Sequence, residues 1–344
     1  MLQPRTLGRS ARAGQAVFRP PELSGTLSVL TPRPRREELE IPHHHLTIFV
    51  ATRQEDVPAG CVRYLSVDGS VPGHAVRWDH HVTGERINLE AMPDRFEASA
   101  YDGVGTTFAD VDALASVVAV LFGGQAELPG EARAVLESAS FWCDHLRAHP
   151  AHDAETNRLG RGLLDAIDAE LEGDRRASGS EKFARLARDL AGRIAAGEPL
   201  PFLDAWPEQL GRAREVQRAG KLQFRGAVAL VDLRDAPEID PAAIYALHDC
   251  PVSVHVKNHE AGGPRYTVGV HPGVEAAPQD IRAALAALAQ AEFAHGPPAL
   301  SPEPQPGSEN WGGRARVFGS PWNYGSRLSP DEVVEIVGRT CGMK

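Results

Sequence analysis

The segment VRWDHHVTGE places Asp79, His80 and His81 in succession after an apolar and aromatic run. Carboxylate oxygen beside imidazole nitrogen is a donor set that suits Mn²⁺, Fe²⁺ or Zn²⁺ better than Ca²⁺. Another carboxylate, Asp68, closes the earlier run YLSVDG. Asp110 and Asp112 stand two apart at the mouth of an apolar stretch, TTFADVDALASVV. Carboxylates there are favoured by the helix dipole and serve either as N-caps or as ligands to neighbouring cations. Asp144 follows a bulky apolar run in SASFWCDHLRAHP. A carboxylate buried there needs a partner or a metal, because an unpaired buried charge is strongly disfavoured.

These residues can act together only if the backbone delivers them to one place. HLTIFVAT (45–52), CVRYLSVDG (61–69) and HAVRWDHH (74–81) carry β-branched and alternating apolar residues and are expected to be strands. INLEAMP and RFEASAYD are expected to add a hairpin or an edge. DVDALASVVAVLFGG (110–124) is expected to be a buried helix stopped by its glycine pair, and residues 130–220 to be largely helical. Asp68 and Asp79-His80-His81 each end an expected strand, and ligands in open α/β sheets collect at the carboxyl ends of strands.

A second block starts near residue 222, with strands in GAVALVDLRD, PVSVHVKNH and RYTVGVHP. Helices are expected in DPAAIYALHD, in QDIRAALAALAQAEFAHG and in SPDEVVEIVGRT, the last capped by Ser329. The fold class that follows is α/β: two α/β domains joined by a helical segment, the first built on a mainly parallel sheet with flanking helices. The expected division is a flexible basic arm over 1–40, a metal-binding domain over 41–165, a helical connector over 166–220 and a substrate-binding domain over 221–344.

Together the pieces resemble the DHH phosphoesterase superfamily, carried by Asp79-His80-His81, by Asp68 at the end of the preceding strand, by Asp110-Val111-Asp112 before a small-residue helix, and by Asp144 in FWCDH. In that family the DxD element precedes DHH; here it follows, and Thr106 stands where the family has a histidine. The resemblance extends to a small C-terminal α/β domain of the DHHA1 type with a Gly-rich phosphate-binding loop. It implies a divalent-metal-dependent phosphoesterase using two ions, Mn²⁺ foremost, held by Asp68, His80, Asp110, Asp112 and Asp144. His81 and Asp79 would take the catalytic roles. Gly312, Gly313, Arg314, Arg316, Gly319 and Ser320 would bind a small phosphorylated substrate or short oligonucleotide. The alternative is a descendant that binds a nucleotide or phosphorylated ligand without turnover.

Composition narrows the field. Lys and Arg number 36 against 46 Asp and Glu, a formal charge of −10, which argues against broad affinity for nucleic acid and towards a small ligand. The four cysteines, Cys61, Cys143, Cys250 and Cys341, are far apart and form no metal-binding or disulfide pattern. No stretch has the unbroken apolar length of a membrane helix, and the N-terminus lacks an apolar signal core. The expectation is a cytoplasmic protein with no membrane partner.

Overall fold

The computed structural model describes residues 41–83, 85–172, 174–260, 262–274, 278–296, 310–313, 316–321 and 324–341. The arm expected over 1–40, the Pro-rich segment 297–307 and Arg314 lie outside the described residues.

The first sheet has four strands, β1 (Thr47–Val50), β2 (Tyr64–Val67), β3 (Val76–Trp78) and β4 (Gly103–Thr106), in the order β1-β4-β2-β3. All its pairings are parallel. The register sets Val50 opposite Thr106 and Val67 opposite Trp78, so the chain leaves these strands along one edge. Strand alternation splits the faces. Ile48, Val50, Leu65 and Val67 enter the main core, whereas Phe49 and Tyr64 point to a smaller cluster with Cys61 and Val71.

Strand β4 carries two glycines for a reason of space. A Cβ on Gly105 would meet the Phe49 ring at 2.6 Å, and one on Gly103 would meet the Thr47 carbonyl oxygen at 2.7 Å. The expected hairpin strand INLEAMP is instead α2 (Asn88–Ala91), which follows α1 (His80–Thr83) in the crossover from β3 to β4. There the buried Asn88 makes side-chain hydrogen bonds to the His80 amide and the Ser116 hydroxyl.

Beyond β4 runs α3 (Val111–Phe122), all 12 residues of it buried, ended by Gly123 at φ 89°. Helices α4 (Gly130–His145), α5 (Ala154–Leu171) and α6 (Ser180–Ala196) complete this lobe. Phe183, Ala187, Leu190, Ala191 and Ile194 give α6 a buried stripe at helical spacing. Its Ser180 hydroxyl binds both backbone groups of Val50, closing the end of β1.

After α7 (Trp206–Arg218) comes a six-stranded sheet of order β5-β6-β7-β8-β10-β9. Its strands are β5 (Leu222–Arg225), β6 (Val228–Asp232), β7 (Val252–Asn258), β8 (Pro264–Val270), β9 (Gly312–Gly313) and β10 (Val317–Gly319). Only the β6–β7 pair is parallel, spanned by the crossover containing α8 (Pro241–Tyr245). Val228 and Leu230 of β6 join a core with α9 (Pro278–His295) and α10 (Pro330–Thr340), while Ala229 and Val231 pack on the α7 and α8 side. Ser329 and Glu332 form the capping box of α10.

Leu146 of the first lobe is buried in that second core layer and sits in the left-handed region at φ 55° as the C-cap of α4. An ionic group ties the lobes nearby. Arg161 of α5 contacts Asp165 and Asp240, each at 2.8 Å, and Asp240 caps α8. The two α/β halves thus meet through a leucine and a buried arginine.

Candidate metal centre

Asp68 is the first residue past β2, and it is held at φ 46°, a backbone region that L-residues other than Asn and Asp seldom adopt. Gly69 follows at φ 144°, where a Cβ would meet the Thr107 hydroxyl at 2.3 Å. The Asp68 amide donates to the Trp78 carbonyl and its own carbonyl accepts from the Thr106 hydroxyl. These bonds fix the turn at the strand edge.

From the neighbouring strand, β3 leads directly into Asp79-His80-His81, with His80 opening α1. Strand β4, written last, is inserted between β1 and β2. The DxD element that comes late in the sequence is therefore placed beside the strand that ends in Asp68. Order along the chain and order in the sheet differ, and only the second governs convergence.

The convergence centres on His80 Nε2. It lies 3.4 Å from Asp68 Oδ1, 3.5 Å from Asp112 Oδ2 and 3.3 Å from Asp144 Oδ2. The four side chains are between 0% and 7% exposed. Nε2 makes no aligned hydrogen bond in this arrangement, and Nδ1 faces the Glu85 carbonyl at 3.4 Å. A neutral ring donating from Nδ1 to that carbonyl turns its Nε2 lone pair to the carboxylates, the tautomer a metal-ligating histidine adopts.

Burial alone would lower the His80 pKa. The Asp68 contact and the charges of Asp112, Asp144 and Asp68 outweigh it and push the pKa up to about 10. A proton thus partly neutralises the carboxylates, and a cation of higher charge bound there would displace it. Oxygen donors with one imidazole form a fit set for a hard or borderline divalent ion.

The remaining candidates divide. His81 Nδ1 is 2.7 Å from Asp79 Oδ1 and 3.6 Å from Asp68 Oδ1, and its side chain is 30% exposed. Asp79 accepts from the His81 amide and, at its other oxygen, from the Arg77 guanidinium. Burial would raise the Asp79 pKa, but the hydrogen bonds from His81 and Arg77 hold it well below the usual carboxylate range. Asp79 thus holds the His81 ring with one carboxylate oxygen while the Arg77 guanidinium holds the other. Asp110 is the N-cap of α3, accepting from the Ala113 amide at 2.9 Å, and is not among the groups that converge on His80. Of the DxD pair, then, one aspartate caps the helix and the other enters the cluster.

Two participants carry no sequence signal of their own. Arg77 pairs with Asp79, as just described. Asn88, fully buried, accepts from the His80 amide, donates its amide proton to Asp112 at 3.1 Å and donates from Nδ2 to Ser116 at 2.8 Å. It ties the DHH turn to the first turns of α3. Next to Asp144, His145 is pushed down to about 4, chiefly by burial, and its neutral ring donates to the Arg86 carbonyl instead of joining the cluster.

In the second lobe, Gly312 and Gly313 form β9 and Gly319 ends β10. A Cβ on Gly313 would meet Phe318 Cα at 2.4 Å and one on Gly319 the Tyr266 carbonyl oxygen at 2.7 Å. Strand packing therefore accounts for these glycines. The Ser320 hydroxyl accepts from the Tyr266 amide, and Arg316 donates to the His271 and Val274 carbonyls.

No helix among the described residues is long and apolar enough to cross a membrane. No family model matches the chain, and no curated protein matches it. Among solved structures, it is similar to a pGpG-specific phosphodiesterase, PggH from Vibrio cholerae, at 14% identity and a TM-score of 0.39, over 81% of this chain and 98% of that one.

Proposed function

We propose that this protein is a divalent-metal-dependent phosphoesterase of the DHH type acting on a small phosphorylated or short nucleotide substrate. One observation carries the reading: Asp68, His80, Asp112 and Asp144, from separate elements, meet within 3.5 Å of one imidazole nitrogen at the carboxyl edge of a parallel sheet. Mn²⁺ is among the ions that suit this donor set, and a pair of ions sharing Asp68 is the arrangement that the resemblance implies. Bound there, divalent cations lower the pKa of water and stabilise charge on a phosphoryl group.

The chain's own residues supply the rest. Asp79, locked by Arg77, fixes the His81 ring through Nδ1, leaving Nε2 of a partly exposed imidazole to hold or deliver a proton at the leaving oxygen. Asp68, bridging the His80 and His81 positions, sets the two functions side by side. Residues 41–165 would form the catalytic domain and 221–344 the substrate-binding domain, with Arg316 supplying positive charge. Four free cysteines and a small anionic substrate suit the cytoplasm.

The test is hydrolysis of bis-p-nitrophenyl phosphate by purified protein with and without Mn²⁺. Expected is metal-dependent release of p-nitrophenol that disappears in His80→Ala. A wild-type protein that is inert with Mn²⁺ yet thermally stabilised by nucleotides would be a binder and would overturn the enzymatic reading.

A further inference from the structure

Asp144 reaches His80 from a place unlike that of its neighbours. Asp68 and His80 follow β2 and β3 at the sheet edge, and Asp112 lies in the first turn of α3, where the Asn88 amide holds its carboxylate. Asp144 lies instead in the last turn of α4. Two residues on, Leu146 is buried among Ala213, Val216, Val231, Ile239 and Ile244, which belong to the second lobe. Every other buried member of that cluster among the described residues comes from α7 or later.

A helix is held least by its own hydrogen bonds at its end, where the last carbonyls have no partner within it. Leu146 forms this end. Its amide donates to the Trp142 carbonyl at 3.1 Å, and its φ of 55° stops the helix in a left-handed conformation that leucine seldom adopts. Glycine is the usual residue there, because it enters that region without steric strain. A leucine in that place has a use for its side chain, which enters the second lobe with 8% of the residue exposed. Packing there offsets the backbone strain. The anchor thus sits two residues from a carboxylate whose Oδ2 lies 3.3 Å from His80 Nε2 and which groups with His80 and Asp112.

We infer that Leu146 is the positioning residue for Asp144: seated in the second lobe's core, it holds the last turn of α4, so that the second lobe sets how tightly the His80–Asp112–Asp144 group binds a divalent cation. This rests on the metal-dependent reading above. Metal-binding side chains must be held within about 0.5 Å of their productive place, so a last turn released from its anchor loses affinity with every ligand still present. Arg161 ties the lobes in another way. It reaches Asp240 and Trp206, and its contact with α4 is the Trp142 ring, whose indole N–H is held separately by the Asn157 carbonyl.

The experiment is Mn²⁺ titration of the full chain, with the free ion followed by electron paramagnetic resonance, beside Mn²⁺-dependent hydrolysis of bis-p-nitrophenyl phosphate. In Leu146→Ala and in Leu146→Gly the Mn²⁺ dissociation constant should rise about tenfold or more, the order found for outer partners of metal ligands. Leu146→Met, which refills the space, should restore the wild-type constant. In all three, kcat at saturating Mn²⁺ should stay within a few-fold of wild type. Glycine suits the left-handed position, so Leu146→Gly keeps the helix stop and removes only the anchor. Arg161→Met weakens the same seam and should leave the constant unchanged. An unchanged constant in Leu146→Gly, or an equal rise in Arg161→Met, would overturn the inference while leaving metal-dependent hydrolysis intact. Wild-type protein that takes up no Mn²⁺ would overturn that hydrolytic reading and this inference with it.

Discussion

Two buried ionic groups lie around α4 and α5, and they are built on opposite plans. Around Arg161 the cation is part of the chain. Its guanidinium meets Asp165 and Asp240 at 2.8 Å, lies over the rings of Trp142 and Trp206 at 5.5 and 4.9 Å, and is only 11% exposed. Asp240 has a further donor in the Ala242 amide. Burial would lower the Arg161 pKa, but the charges of Asp240 and Asp165 raise it instead. Around His80 three carboxylates crowd one imidazole, whose own charge comes from a proton. The first group serves the seam between lobes. The second gathers like charges around one imidazole, the kind of arrangement that clusters at functional sites.

The contrast can be broken by removing one charge from each group. Asp144→Asn relieves repulsion among the His80 carboxylates, so unfolding of the metal-free protein should be no easier than in wild type. Its Mn²⁺-dependent turnover should fall by at least about four orders of magnitude, more than about 5 kcal/mol of barrier. Arg161→Met should do the reverse. Removing one partner of a buried pair strands the others, at a cost of about 3–5 kcal/mol in denaturant unfolding, with metal bound per folded chain unchanged. Equal destabilisation by both variants would abolish the distinction drawn between the two groups.

Metal itself sharpens the comparison with a smaller effect. Mn²⁺ at about 100 times its dissociation constant should add about 2.7 kcal/mol to wild-type stability through binding to the folded state alone. Arg161→Met should gain the same increment from its lower starting point, and Asp144→Asn none. Thermal melts with Mn²⁺ and with a chelator measure this. A gain in Asp144→Asn equal to that of wild type would place the ion elsewhere.

Much of this was legible in the residues, and what was not has identifiable causes. Strands β1, β2 and β3 announced themselves through β-branched alternation, and α3 through its mostly apolar run ending in a glycine pair. Strand β4 did not, because GVGT gives up side chains at Gly103 and Gly105 to make room for Thr47 and Phe49 on the adjacent strand. That hidden strand leads into the helix whose Asp112 reaches His80, a meeting that the order of DHH and DxD along the chain does not reveal. The DxD spacing could not say which aspartate caps and which ligates, since both roles favour a helix N-terminus. The Gly-rich tail reads as a loop because strand pairs two and three residues long leave no periodicity to detect.

Asn88 offers the mildest and most discriminating perturbation. It touches none of the reacting groups, yet its Oδ1 holds the His80 amide and its Nδ2 the Ser116 hydroxyl, spanning the turn that carries His80 and the helix that carries Asp112. Asn88→Ala keeps the backbone amide that pins Asp112 and deletes the links to the His80 amide and to Ser116. Such outer-layer partners are worth about 10–100-fold in metal affinity. The Mn²⁺ dissociation constant should rise by that factor, while kcat at saturating Mn²⁺ recovers to within a few-fold of wild type because every ligand is still present. A loss of kcat that saturating metal does not restore would make Asn88 part of the chemistry. An unchanged dissociation constant would show that the seating of His80 comes from the sheet edge alone and owes nothing to this bridge.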